Sequence, residues 1–137
     1  MNRYTMTFAL SPDFGSVLLL RKPDTHPNPL FRGKWTAPGG LIEEGESEAH
    51  SATRELEEET QLRASAMRFV LRFSCNCDPQ EAEHEVAVYG TVLPFENLKA
   101  AHGEPSEPVA VFGTIPESAL WYVEPLLQIV IGRMRQP

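Results

Sequence analysis

Gly39-Gly40-Leu41-Ile42-Glu43-Glu44-Gly45-Glu46-Ser47-Glu48-Ala49-His50-Ser51-Ala52-Thr53-Arg54-Glu55-Leu56-Glu57-Glu58-Glu59-Thr60-Gln61-Leu62 is the most informative run in the chain. From Leu41 to Thr60 it holds eight carboxylates and one arginine, a net charge of −7. The whole 137-residue chain also carries −7, so the charges outside this segment cancel. An acidic excess confined to one short stretch points to a cation site more than to a generally solubilising surface.

Between Ser47 and Thr60 there is neither Pro nor Gly, and the spacing predicts a helix. Ser47 is the expected N-cap, and Glu48 then lies in the first turn, where the helix dipole favours negative charge. Ala49, Ala52 and Leu56 share one face and are expected to pack inward. Glu55, Glu58 and Glu59 are spaced i, i+3, i+4 and project together from a neighbouring face. Three carboxylates there repel and raise one another's pKa values. A divalent cation removes that penalty, and anionic oxygen-only ligands suit Mg²⁺ or Mn²⁺. Arg54 precedes Glu58 by four residues and is placed to hold that carboxylate. A Glu-rich helix by itself is more often a solvated face. The glycines before it change the balance. Pro38-Gly39-Gly40 and Gly45 are turn signals, and glycine lets a backbone approach a metal or phosphate closely.

The array Gly40, five residues, Glu46, seven residues, Arg54-Glu55-Leu56-Glu57-Glu58-Glu59 resembles the Nudix box of the Nudix hydrolases at every charged position. The lead-in Trp35-Thr36-Ala37-Pro38-Gly39-Gly40 is similar too. One position departs: the family usually has a glycine where this chain has Gln61. That glycine serves as a left-handed helix cap, so Gln61 is expected to cost local stability or to end the helix differently. It removes no ligand.

The resemblance implies an α/β/α sandwich around a mixed β-sheet, formed by residues 1–137 as one domain. It implies hydrolysis of a nucleoside diphosphate linked to another moiety, with water attacking a phosphorus and metal ions assisting. Glu55, Glu58 and Glu59 are then the metal ligands, with the Gly39–Gly40 backbone, Gly40 in particular, offering a carbonyl. Glu55 or a distal loop carboxylate is the general base. Glu104 and Glu107 are the loop candidates by position, and Glu104 joins Glu55 and Glu58 in the expected catalytic set. Arg54 and Glu46 would orient the ligands and close the loop onto the helix. The same fold also serves as a catalytically silent binding or regulatory module. A silent module has no reason to keep mutually repelling carboxylates, and this chain keeps all of them.

A chain of this length holds one domain with a real core. A hydrophobic fraction of 42 % is ordinary for a globular protein. No run approaches the ~20 apolar residues that span a bilayer, and the N-terminus lacks a secretory apolar core, so a cytoplasmic protein with no membrane partner is expected. Cys75 and Cys77 have no second pair at zinc-site spacing and read as incidental thiols.

In chain order, Tyr4–Leu10 and Ser16–Arg21 read as strands, the second buried on both faces. Residues Lys22–Lys34 contain three prolines and no periodicity, and read as a long loop bordering the site. Its His26, Phe31, Arg32 and Lys34, with Trp35, are candidates for gripping a base, sugar or phosphate; Phe31 and Trp35 suit core packing equally well. Met67, Phe69, Leu71 and Phe73 alternate within a strand over Ala64–Ser74 that is expected to be half exposed. Asn76–Glu83 reads as a polar loop, His84–Leu93 as a strand with His84 a structural end residue, and Phe95–Ala101 as a helical turn. His102–Pro108 reads as a loop, Val109–Phe112 as a strand, and Pro116–Met134 as a closing helix with its core stripe at Leu120, Val123, Leu127, Val130 and Met134. The substrate is a nucleotide or nucleoside-diphosphate derivative, chosen by loops the motif does not specify. No nucleic-acid polymer is expected as a partner. Dimers are common in the resembling family, so a homodimer stays open.

Overall fold

The computed structural model of the chain describes residues 2–75, whose last side chain, that of Cys75, is not included, and residues 83–137. The Cys75–Cys77 reading and most of the expected 76–83 loop fall outside the described residues. Strand β1 (Asn2–Leu10) is the centre of a seven-stranded mixed sheet. It pairs in parallel with β6 (His84–Val92) along its whole length, and β6 pairs antiparallel with β5 (Arg68–Cys75). The other edge of β1 is shared. Its N-terminal half takes β4 (Gly39–Leu41), and its last residue meets β2 (Val17–Arg21). β2 in turn pairs with β3 (Trp35–Thr36) and with β7 (Val109–Phe112). Helices α1 (Glu48–Thr60), α2 (Phe95–Lys99) and α3 (Val123–Met134) complete the α/β fold.

The period-2 alternation of the strands builds two cores, one on each face of the sheet. Met6, Phe8 and Leu10 of β1, Val17 and Leu19 of β2, and Val86 and Val88 of β6 bury against Val123, Leu127 and Val130 of α3. The residues between them face the other way. Ala9 and Leu18 meet Leu56 of α1 and Leu98 of α2, while Ala87 and Tyr89 meet Ala52. Each fully buried Leu, Val or Phe contributes roughly 1.5–3 kcal/mol of transfer free energy, so both faces are secured. β1 and β2 are buried on both sides because helices cover both.

The structure corrects three expectations. Pro38-Gly39-Gly40 is not a free turn: Gly39 and Gly40 are strand β4, opposite Met6 and Thr5. The alternation in β5 does not mark one face. A bulge lies between Phe69 and Leu71, and one extra residue reverses every side chain beyond it. Met67 and Phe69 pack toward Tyr89 on the α1 face, whereas Val70, Leu71 and Phe73 join the α3 core. Finally, α3 begins at Val123 rather than Pro116. The Trp35 N–H donates to the Ser118 carbonyl and the Leu120 N–H to the Trp35 carbonyl, so backbone bonds to a distant segment replace a helical turn there.

Helix α1 follows its sequence signals at its caps and at the inward Ala52 and Leu56, whereas Ala49, also expected to pack inward, is exposed. The Ser47 hydroxyl accepts from the His50 N–H, and the helix closes at Gln61 with φ 62° and ψ 20°. Gln61 therefore adopts the left-handed conformation that glycine occupies without penalty, its N–H donating to the Glu57 carbonyl. Left-handed backbone costs a side-chain-bearing residue about 1–2 kcal/mol, partly offset because glycine loses more entropy on folding. Gln61→Gly is accordingly expected to raise the unfolding free energy by roughly 0.5–1 kcal/mol in urea titration, with no change in m-value. An unchanged midpoint would show that the Gln61 cap carries no strain.

Candidate active site

Helix α1 lies against β4, and its carboxylates crowd onto the two glycines. Glu59 Oε1 accepts from the Gly39 N–H at 2.7 Å. A Cβ on Gly40 would sit 2.5 Å from the Glu55 carboxylate, so that carboxylate fills the space a side chain would take. Glycine is required at this close approach. Glu58, one turn on from Glu55, is the most exposed of the three, with 58 % of its side chain accessible.

Arg54 ties this face to the preceding loop. Its guanidinium donates through Nε and Nη2 to both Glu46 oxygens at 2.6 and 2.9 Å, and through Nη2 to the Leu41 carbonyl at 3.2 Å. Its Nη1 reaches Glu55 Oε1 at 2.9 Å and Glu58 Oε2 at 3.1 Å. The Glu46 carboxylate also accepts from the Glu43 N–H and meets His50 Nδ1 at 2.8 Å. One cation thus bridges three glutamates and clamps the loop onto the helix. The Arg54 bond holds the Glu46 carboxyl far below the usual carboxylate range.

Burial, more than mutual repulsion, perturbs Glu55 and Glu59. It pushes Glu55 upward against the pull of Arg54, with Glu58 and Glu46 adding to the rise. Burial lifts Glu59 to about 7, opposed by Lys22 and by the Gly39 N–H, and reinforced by Glu55 and Glu107. Among the described residues no three His, Cys, Asp or Glu side chains converge as a metal cage. Arg54 spans Glu55 and Glu58, while Glu59 turns to the Gly39 N–H. The donor chemistry nevertheless fits a hard divalent ion. Two partly buried carboxylates whose ionised forms lack full compensation lie beside a glycine backbone, and every donor is oxygen.

Gly39 and Gly40 also form part of the wall of a cleft of about 390 Å³ on the α3 face of the sheet. Tyr4, Phe31, Phe73 and Tyr122 make it aromatic, and Lys22, His26, Asn28 and His84 add polar groups. The 3₁₀ turn Pro29–Phe31, capped by the Asn28 side chain, delivers Phe31, which packs edge-on to His26 at 5.3 Å between centroids. His84 stacks edge-on with Tyr4 at 5.1 Å. The Tyr122 hydroxyl lies 3.2 Å from Thr36 Oγ1. Of the five residues expected to grip substrate, His26 and Phe31 line the cleft, and Arg32, Lys34 and Trp35 do not. Trp35 packs its ring against Phe112 at 4.9 Å beside the core, and Lys34 lies outside the cleft wall.

The loop glutamates separate as well. Glu104 is exposed, and its backbone carbonyl accepts from the Glu107 N–H. Glu107 is half buried, its carboxylate 3.6 Å from Lys22 Nζ, and it acts electrostatically on Glu59. Lys22, Tyr4, Phe73 and Tyr122 are site residues that sequence reasoning missed. Tyr4 and Phe73 stand in strands read only for packing, and Tyr122 stands in a segment read as helix. Lys22 alone had a signal, as the first residue of the 22–34 loop read as bordering the site.

The candidate site is an acidic helix face held against a glycine strand, with an aromatic cleft on the other side, on an α/β fold. The chain belongs to the Nudix family, whose NUDIX domain profile matches residues 1–116. Solved structures agree on the fold. A MutT protein from Methanosarcina mazei Go1 superposes with a TM-score of 0.75 at 16 % identity, covering 98 % of this chain and 96 % of that one. The NUDIX domain of Shewanella oneidensis NrtR, solved with ADP ribose, has a TM-score of 0.75 at 20 % identity over 96 % of this chain and 87 % of its own. The NrtR chain solved with a 27mer DNA is longer, and this chain spans 62 % of it. A MutT/nudix family protein from Enterococcus faecalis gives 0.67 at 24 % identity, covering 81 % of this chain, which spans only 43 % of that protein. Among the described residues no helix is long and apolar enough to cross a membrane.

Proposed function

We propose that the chain is a Mg²⁺- or Mn²⁺-dependent pyrophosphohydrolase acting on a nucleoside diphosphate linked to another moiety. The observation that carries this reading is the junction at Gly40: the Glu55 carboxylate abuts one side of a residue that lines the aromatic cleft. Glu55, Glu58, Glu59 and the Gly40 carbonyl would hold the metal. When bound, the metal would neutralise diphosphate oxygens and acidify the attacking water. Phe31, with Tyr4, Phe73 and Tyr122, offers π faces to a nucleobase. Lys34 and Trp35 support the recognition loop from outside the cleft. Glu55 takes the proton of the attacking water: its carboxylate abuts Gly40, which lines the cleft, and burial raises its pKa. Arg54 and Glu46 keep that carboxylate in place.

Turnover of a nucleotide panel with Mg²⁺ tests the reading. The panel includes ordinary and oxidised nucleoside triphosphates, dinucleoside polyphosphates and ADP ribose, which the NrtR domain binds. Glu58→Gln is expected to keep the fold and slow hydrolysis at least about tenfold, or ~1.4 kcal/mol in the barrier. Glu104→Gln is expected to leave kcat unchanged, because Glu104 is exposed. Near-wild-type rates for Glu58→Gln at low Mg²⁺ would reject the assignment. Binding of panel members without turnover would make the chain a silent module instead.

A further inference from the structure

Lys22 is the one lysine or arginine among the described residues that line the cleft. Arg54, the other cation of the site, is already saturated by Glu46, Glu55 and Glu58. The Lys22 backbone is pinned on both sides. Its N–H donates to the Lys34 carbonyl, and its own carbonyl accepts from the Gly33 N–H. The side chain is held too. The β2–β7 register sets Leu20 opposite Val109, and the Arg21 N–H donates to the Pro108 carbonyl. Continued by one more residue, that register sets Lys22 opposite Glu107, whose carboxylate lies 3.6 Å from Nζ. A half-exposed pair of this kind contributes little to stability, so its main effect is to hold the ammonium in place.

We propose that the Lys22 ammonium, held across the strands by Glu107, binds the diphosphate of the substrate from the β2 side of the cleft. This inference rests on the hydrolase reading and adds a binding group to it. Metal on the acidic face meets only part of a diphosphate, and the remaining oxygens need donors. An ammonium carries three donors on a flexible stem, and a cleft walled by aromatic side chains strengthens its pull on an anion. Glu107 is then a positioning residue that acts through Lys22.

The probe is inorganic pyrophosphate with Mg²⁺, measured by titration calorimetry on the full chain. Lys22→Met is expected to bind it about tenfold or more weakly and with a shallower salt dependence, whereas Lys22→Arg retains most of the affinity. Glu107→Gln is expected to change affinity in the wild-type background and to have no further effect in Lys22→Met, the mark of a residue acting through another. Thermal melts of each variant report that the fold is intact, and Lys22→Arg guards against a collapsed methionine variant. Unchanged affinity in folded Lys22→Met overturns the proposal. Additive effects of the two substitutions overturn the positioning role of Glu107. Turnover on the nucleotide panel without wild-type binding of pyrophosphate sinks the Lys22 inference and leaves the hydrolase reading standing. Lys22-dependent pyrophosphate binding with no turnover does the reverse.

Discussion

In EDTA at pH 8, Glu59→Gln is expected to melt higher than the wild-type chain, while with Mg²⁺ it hydrolyses substrate at least about tenfold more slowly. The two effects share one cause. Burial, the largest influence, raises the Glu59 carboxyl from an ordinary 4.5 to about 7. Below the unfolded value, both folded and unfolded chains hold the proton, and the folded state keeps its full stability from this group. As pH rises from 4.5 toward 7, the unfolded chain releases the proton and the folded chain does not, so stability falls by ~1.4 kcal/mol per pH unit. Above the folded value both are ionised and the loss is complete, roughly 3 kcal/mol at most. Glutamine stays neutral throughout and keeps an oxygen for the Gly39 N–H. It forfeits the attraction of Lys22, so a gain of about 1–3 kcal/mol, on the order of 5 °C in Tm, is expected at pH 8. Mg²⁺ should stabilise the wild-type chain by binding its folded state, and this response should shrink in the variant. A variant that melts lower at pH 8, or keeps the wild-type pH slope between pH 5 and about 7, would refute the argument.

The two glycines of β4 are expected to fail differently. A methyl group on Gly40 meets the Glu55 carboxylate at 2.5 Å, the far end of a flexible side chain. Gly40→Ala should therefore fold with a nearly unchanged Tm but push that carboxylate off the cleft wall. Misplacing a reacting group by about 1 Å costs on the order of 100-fold, so kcat should fall by that much or more. A methyl group on Gly39 instead enters the van der Waals shell of the Thr5 carbonyl oxygen and comes within 2.9 Å of Met6 Cα. Backbone has no rotamer to yield, and β4 must separate from β1. Gly39→Ala should lose about 3 kcal/mol or more, and its activity should fall in step with its folded fraction. Circular-dichroism melts beside steady-state rates separate the cases. A fully active Gly40→Ala would remove Glu55 from the reacting centre, and a stable Gly39→Ala would contradict the close approach of β4 to β1.

The acidic helix was legible because its information is local. Capping by Ser47, the inward Leu56 and the i, i+3, i+4 carboxylates depend on neighbours within a few residues, and the structure has all of them. The left-handed cap at Gln61 came from the family resemblance, which puts a glycine there; of the two outcomes expected, the structure has the left-handed one. The α/β class followed from the order of apolar periods, since each strand carries its own alternation.

What the sequence did not show depends on which segments meet. The bulge at Val70 is invisible in an alternation that runs unbroken from Met67 to Phe73, because only pairing with β6 shows which residue is extra. Gly39 and Gly40 read as a turn because nothing local reveals that Tyr4–Met6 pairs beside them. Trp35 was a substrate candidate by its chemistry, and its contact with Phe112, distant in sequence, makes it a packing residue. Glu104 and Glu107 were equivalent on paper. The β2–β7 register separates them, setting Glu107 across from Lys22 and leaving Glu104 in solvent. Sequence alone determined the helix, its charge and the family resemblance, because hydrogen bonds within a turn, side-chain periodicity and motif spacing are short-range. Tertiary structure decided which carboxylate is buried, which aromatics form the cleft and which lysine enters it, because burial and electrostatic coupling exist only once distant strands are in register.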